Sequence, residues 1–257
     1  MTSPLPPSLS VLELRQYTLH PGRRDELIAL FEREFVESQA AVGSHVLASC
    51  RDLDDPDRFV WIRGFADMAA RAPALQAFYG GPVWQAHRDA ANATMVDSDD
   101  VRLLRPLPGA PRLESALQPR RAVAEAPVDG GVFTLTVCPL RRPADAAVVE
   151  AFDQALQEGW LSRGGDLVAC WASETAANDF PRLPVREDEP VIAWLARFDD
   201  EAAQRRQAAL LQSSGGLDRP EWRAHLSGAI RHRRLAPTHR SALRRLTPQE
   251  TLHHEPL

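Results

Sequence analysis

Lysine is missing from this chain: all 30 basic residues are arginine. That absence excludes a Schiff-base lysine, hence a pyridoxal phosphate enzyme of the usual kind, and a phosphate-loop lysine. Together with the abundant alanine, it fits a GC-rich bacterial genome. Cysteine is scarce as well. Cys50, Cys138 and Cys170 lie far apart with no Cys-x-x-Cys pair, which argues against a disulfide framework or a cysteine-rich zinc site. No histidine pair has the zincin spacing, and no Gly-x-Ser-x-Gly elbow or dinucleotide glycine fingerprint occurs, so no metal site is expected. No apolar run reaches membrane-spanning length, and MTSPLPPSLS at the N-terminus has neither a basic start nor an apolar core. The expected location is the reducing cytoplasm. With a net charge of −5, the chain lacks the positive footprint of a nucleic-acid binder.

What is present is an ordinary globular composition, 44% hydrophobic and 25% charged, in a chain of 257 residues, long enough for two domains. Val11 to Leu19 reads as a strand ended by Pro21-Gly22. Leu27, Ile28, Phe31 and Phe35 mark one face of a helix from about Arg23 to Val42. A short strand (His45 to Arg51), an acidic hairpin loop (Asp52 to Asp57) and a strong strand (Phe59 to Phe65) follow. A helical region from Asp67 breaks at Gly80-Gly81-Pro82 and resumes through Trp84 to Ala93, and a last strand runs from Val101.

After a segment rich in proline, alanine and arginine, the same order returns. Strands are expected at Phe133 to Cys138, Asp166 to Trp171 and Val191 to Phe198, with another near Arg231. A helix carries Val148, Val149, Phe152, Leu156 and Trp160, and a broken helix spans Glu201 to Ile230. WIRGFAD at Trp61 is echoed by WLARFDD at Trp194, GPVWQAH by RPEWRAH, and RLLRP by RRLAP. Echoes in one order, at matching stages of the pattern, point to internal duplication. The fold class is therefore α+β: tandem ferredoxin-like β-α-β-β-α-β modules whose open sheet faces bury each other in an intrachain dimeric α+β barrel. The expected division is a disordered N-terminus (1–10), a first module (11–106), a linker (107–130), a second, diverged module (131–237) and a polar tail (238–257).

LELRQYTLHPG, from Leu12 to Gly22, resembles the opening strand and turn of the NIPSNAP family, and FYGGPVWQAHRDA, from Phe78 to Ala90, resembles its second-helix region. The resemblance covers Val11 to Pro106. It implies the dimeric α+β barrel superfamily, which includes cofactor-free quinol monooxygenases, haem-degrading and haem-binding enzymes and proteins without known activity. NIPSNAP proteins themselves mostly lack an assigned reaction, so fold membership leaves function open.

Candidate chemistry concentrates in the first module. Glu13, Arg15 and Tyr17 share one face of the first strand, and Trp61 and Arg63 one face of the third. Because buried charges must be paired, these residues form either an ion-pair network that fixes packing or a pocket for a small aromatic or anionic ligand. In the second module Thr134 and Thr136 replace Glu13 and Arg15, and Ala196 replaces Arg63. His87, on one helical face with Trp84, is a candidate general base or haem ligand, with Glu13 and Arg63 as catalytic partners. His225, in the matching place after Trp222, favours packing instead. His45 is expected to face the same cavity, and Tyr79 to close one end of it. Asp52, Asp54, Asp55 and Asp57 lack calcium-loop spacing. Arg231 to Arg245 reads as a final strand with a solvated end, and His253-His254 as part of the tail.

Two functions follow. The first is a small-molecule-binding or scaffold protein with a filled interior and Glu13 and the arginines consumed in salt bridges. The second is a cofactor-independent or haem-linked oxygenase acting on an aromatic or quinone-like substrate, with a pocket of a few hundred Å³ between the first sheet and its helices. A homodimer of the whole chain is the remaining partner considered.

Overall fold

The computed structural model describes residues 8–125, 130–159, 161, 166–214 and 217–245. The first seven residues, residues 126–129 of the linker, Trp160 and the final segment with His253-His254 lie outside the described residues.

The first module contains β1 (Val11–Leu19), α1 (Arg24–Leu30), a π-helical turn (Phe31–Phe35), α2 (Val36–Ala40), β2 (His45–Asp52), β3 (Arg58–Phe65), α3 (Met68–Gly80), α4 (Pro82–Asn92) and β4 (Met95–Pro106). The second repeats it with β5 (Val132–Pro139), α5 (Ala146–Gly159), β6 (Asp166–Ser173), β7 (Val191–Phe198), α6 (Glu201–Ser214), α7 (Pro220–Arg223) and β8 (Arg231–Pro237). All strand pairs are antiparallel, and the strands close into one barrel, β1-β3-β2-β8-β5-β7-β6-β4. This is the tandem pair of ferredoxin-like modules expected from the sequence, closed on itself within one chain.

Strand alternation explains the layering. Leu12 and Leu14 of β1, Val60 and Ile62 of β3, Leu135 of β5 and Leu195 of β7 point inward and join one buried apolar cluster. The intervening residues face the helices. Phe31, Phe35, Trp61 and Phe78 fill that layer in the first module, and Phe152, Trp194 and Trp222 in the second. Gly81 permits the break between α3 and α4: a Cβ there would lie 2.8 Å from the Ala77 carbonyl oxygen, after which Pro82 starts the new helix.

The pairing register makes the duplication explicit. Glu13 pairs with Arg63 as Thr134 pairs with Ala196, and Arg15 with Trp61 as Thr136 with Trp194. On the other side of the same strands, Leu103 faces Glu13 as Arg234 faces Thr134. Asp67 and Asp200 cap equivalent helices, accepting from the amides of Ala70 (2.8 Å) and Ala203 (2.7 Å).

Three expectations change. The last strand of the first module begins at Met95 rather than Val101, because β1 extends through irregular pairing to Leu19↔Met95. Residues assigned to the linker and the termini supply one end of the barrel: Leu9, Leu113, Leu117, Ala242 and Leu243 join the interior cluster. The first eight residues of the expected polar tail are thus packed, with Leu243 bridging Leu117 and its amide donating to the Leu47 carbonyl at 3.0 Å. Buried Arg240 ties this segment to the first module. Its Nη1 donates to the Glu32 carbonyl (2.6 Å) and to Glu37 Oε2 (2.9 Å), and its backbone amide to Glu32 Oε1 (2.8 Å).

Candidate functional site

The polar residues singled out on β1 and β3 do meet, and they fill the space between themselves. Glu13 Oε2 accepts from Arg15 Nη1 (2.7 Å) and Arg63 Nε (2.8 Å), while Oε1 accepts from Arg71 Nε (2.7 Å). Glu13, Arg63 and Arg71 have no exposed side-chain surface. Arg15 Nε donates to the Tyr17 hydroxyl (2.9 Å), and Arg63 Nη1 to Gln39 Oε1 (2.8 Å) and more distantly to the Tyr79 hydroxyl (3.4 Å). The Arg63 guanidinium also lies 5.2 Å from the Trp61 ring centroid. Burial pushes the Glu13 carboxyl up, but Arg63, Arg15 and Arg71 together hold it down at about 2. Burial likewise raises the Tyr17 phenol.

Arg71 was not anticipated. It sits in a run of alanines on α3, and nothing local distinguishes it from a solvated helix residue. Its role comes from across the chain, where Nη1 donates to Asn178 Oδ1 (3.0 Å) and pairs with Asp179. Both belong to the long loop between β6 and β7. Phe180 of that loop stacks on Tyr79 with centroids 6.2 Å apart. The second module's loop thereby seals the first module's sheet–helix cleft.

The two histidines do not join the cluster. Val46 pairs with Arg63, so strand alternation turns the neighbouring His45 to the opposite face of β2. There, burial and then Arg120 lower its pKa. His87 Nε2 lies 3.5 Å from Glu34 Oε2, and its ring packs against Phe35 at 6.4 Å. Trp84 and Tyr79 pack on each other at 4.9 Å, and Trp84 on Phe35 at 5.5 Å. His87 therefore does not fit the haem-ligand role: its Nε2 faces the Glu34 carboxylate, and aromatic side chains occupy the layer beneath it. Among the described residues there is no group of three or more His, Cys, Asp and Glu able to hold a metal ion. Nor is any helix among them long and apolar enough to cross a membrane.

The open space is in the second module. A cavity of about 550 Å³ lies between β5–β8 and α6–α7, lined by Asp54, Thr134, Gln204, Ala208, Leu226 and His232 among others. Its origin is subtractive. Thr134, Thr136 and Ala196 stand where the first module has Glu13, Arg15 and Arg63, and Gln204 takes the place of Arg71 relative to its capping aspartate. Four large charged residues become smaller ones, and two of the replacements, Thr134 and Gln204, line the cavity. The covering loop differs as well. The β2–β3 hairpin reaches the second module with Asp54, whose Oδ1 takes 2.6 Å and 3.0 Å bonds from Arg234, but it is too short to seal the cleft.

The cavity walls are mixed: Ala208, Leu217, Leu226, Ala229 and Ile230 supply apolar surface, while Asp54, Asp218, Arg223 and Arg234 put charged groups at its edge beside Thr134, Gln204 and His232. Thr134 Oγ1 is buried and has no hydrogen-bond partner, an uncompensated cost for a buried hydroxyl. His232 Nδ1 shares a hydrogen with Thr136 Oγ1 at 2.9 Å. Desolvation by the surrounding protein lowers the His232 pKa below its ordinary 6.5 although the residue keeps exposed surface, which favours the neutral ring near pH 7. In the tautomer whose Nδ1–H donates to Thr136, Nε2 is the unprotonated, basic nitrogen; in the other, Thr136 donates and Nε2 carries the hydrogen. Arg234 is held in place by the carboxylates of Asp54 and Glu201, which neutralise its charge. In the sequence, Thr134 and Thr136 read only as losses. The signal available was the repeat register, which puts His232 where the first module has Val101.

Comparisons agree with this architecture. Residues 12–111 match the NIPSNAP family model, which spans the first module and stops before β5. No curated protein matches the sequence. Among solved structures, an anthrone oxidase-like protein is 13% identical with a TM-score of 0.54, covering 94% of this chain and 97% of its own. A “putative monooxygenase” from Fusobacterium nucleatum subsp. nucleatum ATCC 25586 is 8% identical with a TM-score of 0.53, covering 90% of this chain and 93% of its own. Another “putative monooxygenase”, from Lactobacillus acidophilus NCFM, is 13% identical with a TM-score of 0.50 over 90% of this chain and 94% of its own. At these identities the likeness establishes the barrel fold over nearly the whole chain.

Proposed function

We propose that this chain, whose first module carries the NIPSNAP pattern, is a small-molecule-binding protein with one working site, in the second module. The ligand class is a flat, largely apolar molecule bearing a hydroxyl or carbonyl oxygen. The carrying observation is the unpartnered Thr134 hydroxyl beside His232 on the wall of a cavity of about 550 Å³ whose apolar surface comes from Ala208, Leu217, Leu226, Ala229 and Ile230. A ligand oxygen there completes the hydrogen bonding that the protein leaves open. The filled first module serves as scaffold.

The test uses 1-naphthol and menadiol as probes, with binding followed by quenching of tryptophan fluorescence. Saturable binding is expected, weakened about tenfold in Thr134→Val, the worth of one hydrogen bond of roughly 1–1.5 kcal/mol. Binding that Thr134→Val and His232→Ala both leave unchanged overturns the assignment.

One observation favours a second reading, cofactor-independent oxygenation at the same site. A neutral histidine kept in place by Thr136 can take the hydroxyl proton of a bound quinol. The anion adds dioxygen at a ring carbon, and the hydroperoxide so formed loses water to give the hydroxyquinone. One oxygen atom enters the product, the other leaves as water, and dioxygen is the sole oxidant. The names of the structural neighbours support this chemistry. Oxygen uptake on addition of a quinol, abolished by His232→Ala, is the expected result. Uptake unaffected by that change assigns the oxidation to the free quinol.

A further inference from the structure

The two ends of the barrel interior differ in kind. One is stoppered by Leu9, Leu113, Leu117, Ala242 and Leu243. At the other, the inward-facing residues turn from leucine and valine to arginine. Arg102 of β4 pairs with Leu14 as Arg233 of β8 pairs with Leu135, and Asp100 pairs with Gln16 as Arg231 with Val137. Equivalent positions of the two modules thus converge on one mouth, and the β6–β7 loop adds Arg186. Together they line a cavity of about 110 Å³, distinct from the proposed ligand site.

The charges there do not balance. Four guanidiniums, from Arg102, Arg186, Arg231 and Arg233, meet the carboxylates of Asp100, Glu189 and Asp52. Asp100 Oδ1 is shared by Arg102 (2.5 Å) and Arg186 (3.0 Å). Glu189 is shared by Arg231 (2.8 Å) and Arg102. Arg233 takes Asp52 (2.8 Å) and the Gln16 amide oxygen (2.7 Å), and Gln16 Nε2 donates to Asp100 Oδ2 (3.2 Å). This chain of bonds fixes the guanidiniums in place and leaves an excess of positive charge. Arg102 is only 3% exposed, and its Nε is buried with no hydrogen-bond partner. A buried guanidinium donor left open at a cationic mouth is costly unless an acceptor reaches it.

We propose that this arginine-lined barrel mouth is a binding site for a free tetrahedral oxyanion, phosphate or sulfate. The cavity suits a single such ion and is too small for a nucleotide or another large phosphorylated molecule. Several guanidinium N–H groups converging on one point are the usual recognition geometry for phosphate. The site lies between the modules, so a bound ion bridges β4 of the first to β8 of the second and strengthens the contact between the halves.

The experiment is isothermal titration of the full chain with phosphate and sulfate, alongside thermal unfolding at constant ionic strength. Both dianions are expected to bind with one-to-one stoichiometry and to raise the midpoint, which sodium chloride at the same ionic strength does not. Arg186→Ala and Arg231→Ala remove half-exposed residues and are expected to fold normally and bind at least tenfold more weakly. Phenyl phosphate is expected to bind more weakly than phosphate, since its ring has no room. Equal stabilisation by chloride, stoichiometry well above one, or unchanged affinity in both variants overturns the site.

Discussion

Glu13 is the residue on which the first module depends, because three buried guanidiniums share its single buried carboxylate. Removing the charge leaves Arg15, Arg63 and Arg71 buried with Asp179 as their only acidic partner among the contacts described. Breaking a buried ion pair from one side costs about 3–5 kcal/mol, and Glu13→Gln is expected to lower unfolding stability by that order. The pH dependence has a definite sign. The folded carboxyl titrates at about 2, below the ordinary value of 4.5. Its stabilisation is therefore present above about pH 4.5 and is lost as pH falls towards 2, on the order of 3 kcal/mol in all. Urea denaturation across that range is expected to show the loss in the native chain and a flatter profile in Glu13→Gln; parallel profiles would refute the assignment. Glu13, Arg15 and Arg63 were legible as a cluster because two-residue periodicity on adjacent strands fixes which side chains share a face. Arg71 was not, since its partners lie in a loop of the other module.

At the scale of elements, the difference between the modules is set by one loop and one layer. The β6–β7 loop lays Asn178, Asp179 and Phe180 over the first module, with Phe180 packed among Val11, Phe65 and Leu75. Phe180→Ala deletes most of that anchor, a change worth about 3 kcal/mol for a buried phenylalanine. The expected consequence is local: the loop opens while the barrel persists. Trypsin is then expected to cut after exposed Arg182 at least tenfold faster than in the native chain, with naphthol binding in the second module unchanged. Cleavage at the native rate would mean that the loop does not rely on Phe180. The order of elements was readable from the sequence because each half repeats the same alternations and helix faces, and the echoes around Trp61 and Trp194 locked their register. The cavity was not readable. Thr134 and Gln204 line it where the first module has Glu13 and Arg71, and volume left empty depends on how neighbouring elements close around it.

For the whole molecule, the strand pairing between the halves is confined to two short seams, and the halves share one interior. β2 meets β8 over Cys50↔Pro237 to Asp52↔Leu235, and β4 meets β6 over Leu104↔Ser173 to Pro106↔Trp171. Ladders this short cannot carry the assembly. The burial of Leu12, Leu14, Val60 and Ile62 against Leu135, Val168, Trp171 and Leu195 does so. A first module made alone, residues 8–125, would present that whole sheet face to water, with β2 and β4 as unpaired edges. The closed barrel itself is the solution to this exposure, and a second copy of the module offers the same one. Sedimentation is therefore expected to find the isolated module as a dimer or larger species at micromolar concentration, its association blocked by Leu14→Glu and Ile62→Glu on the inner face. A stable monomer without those changes would show that the first module does not need a second to cover its open sheet, and that the duplication serves the second module's cavity alone.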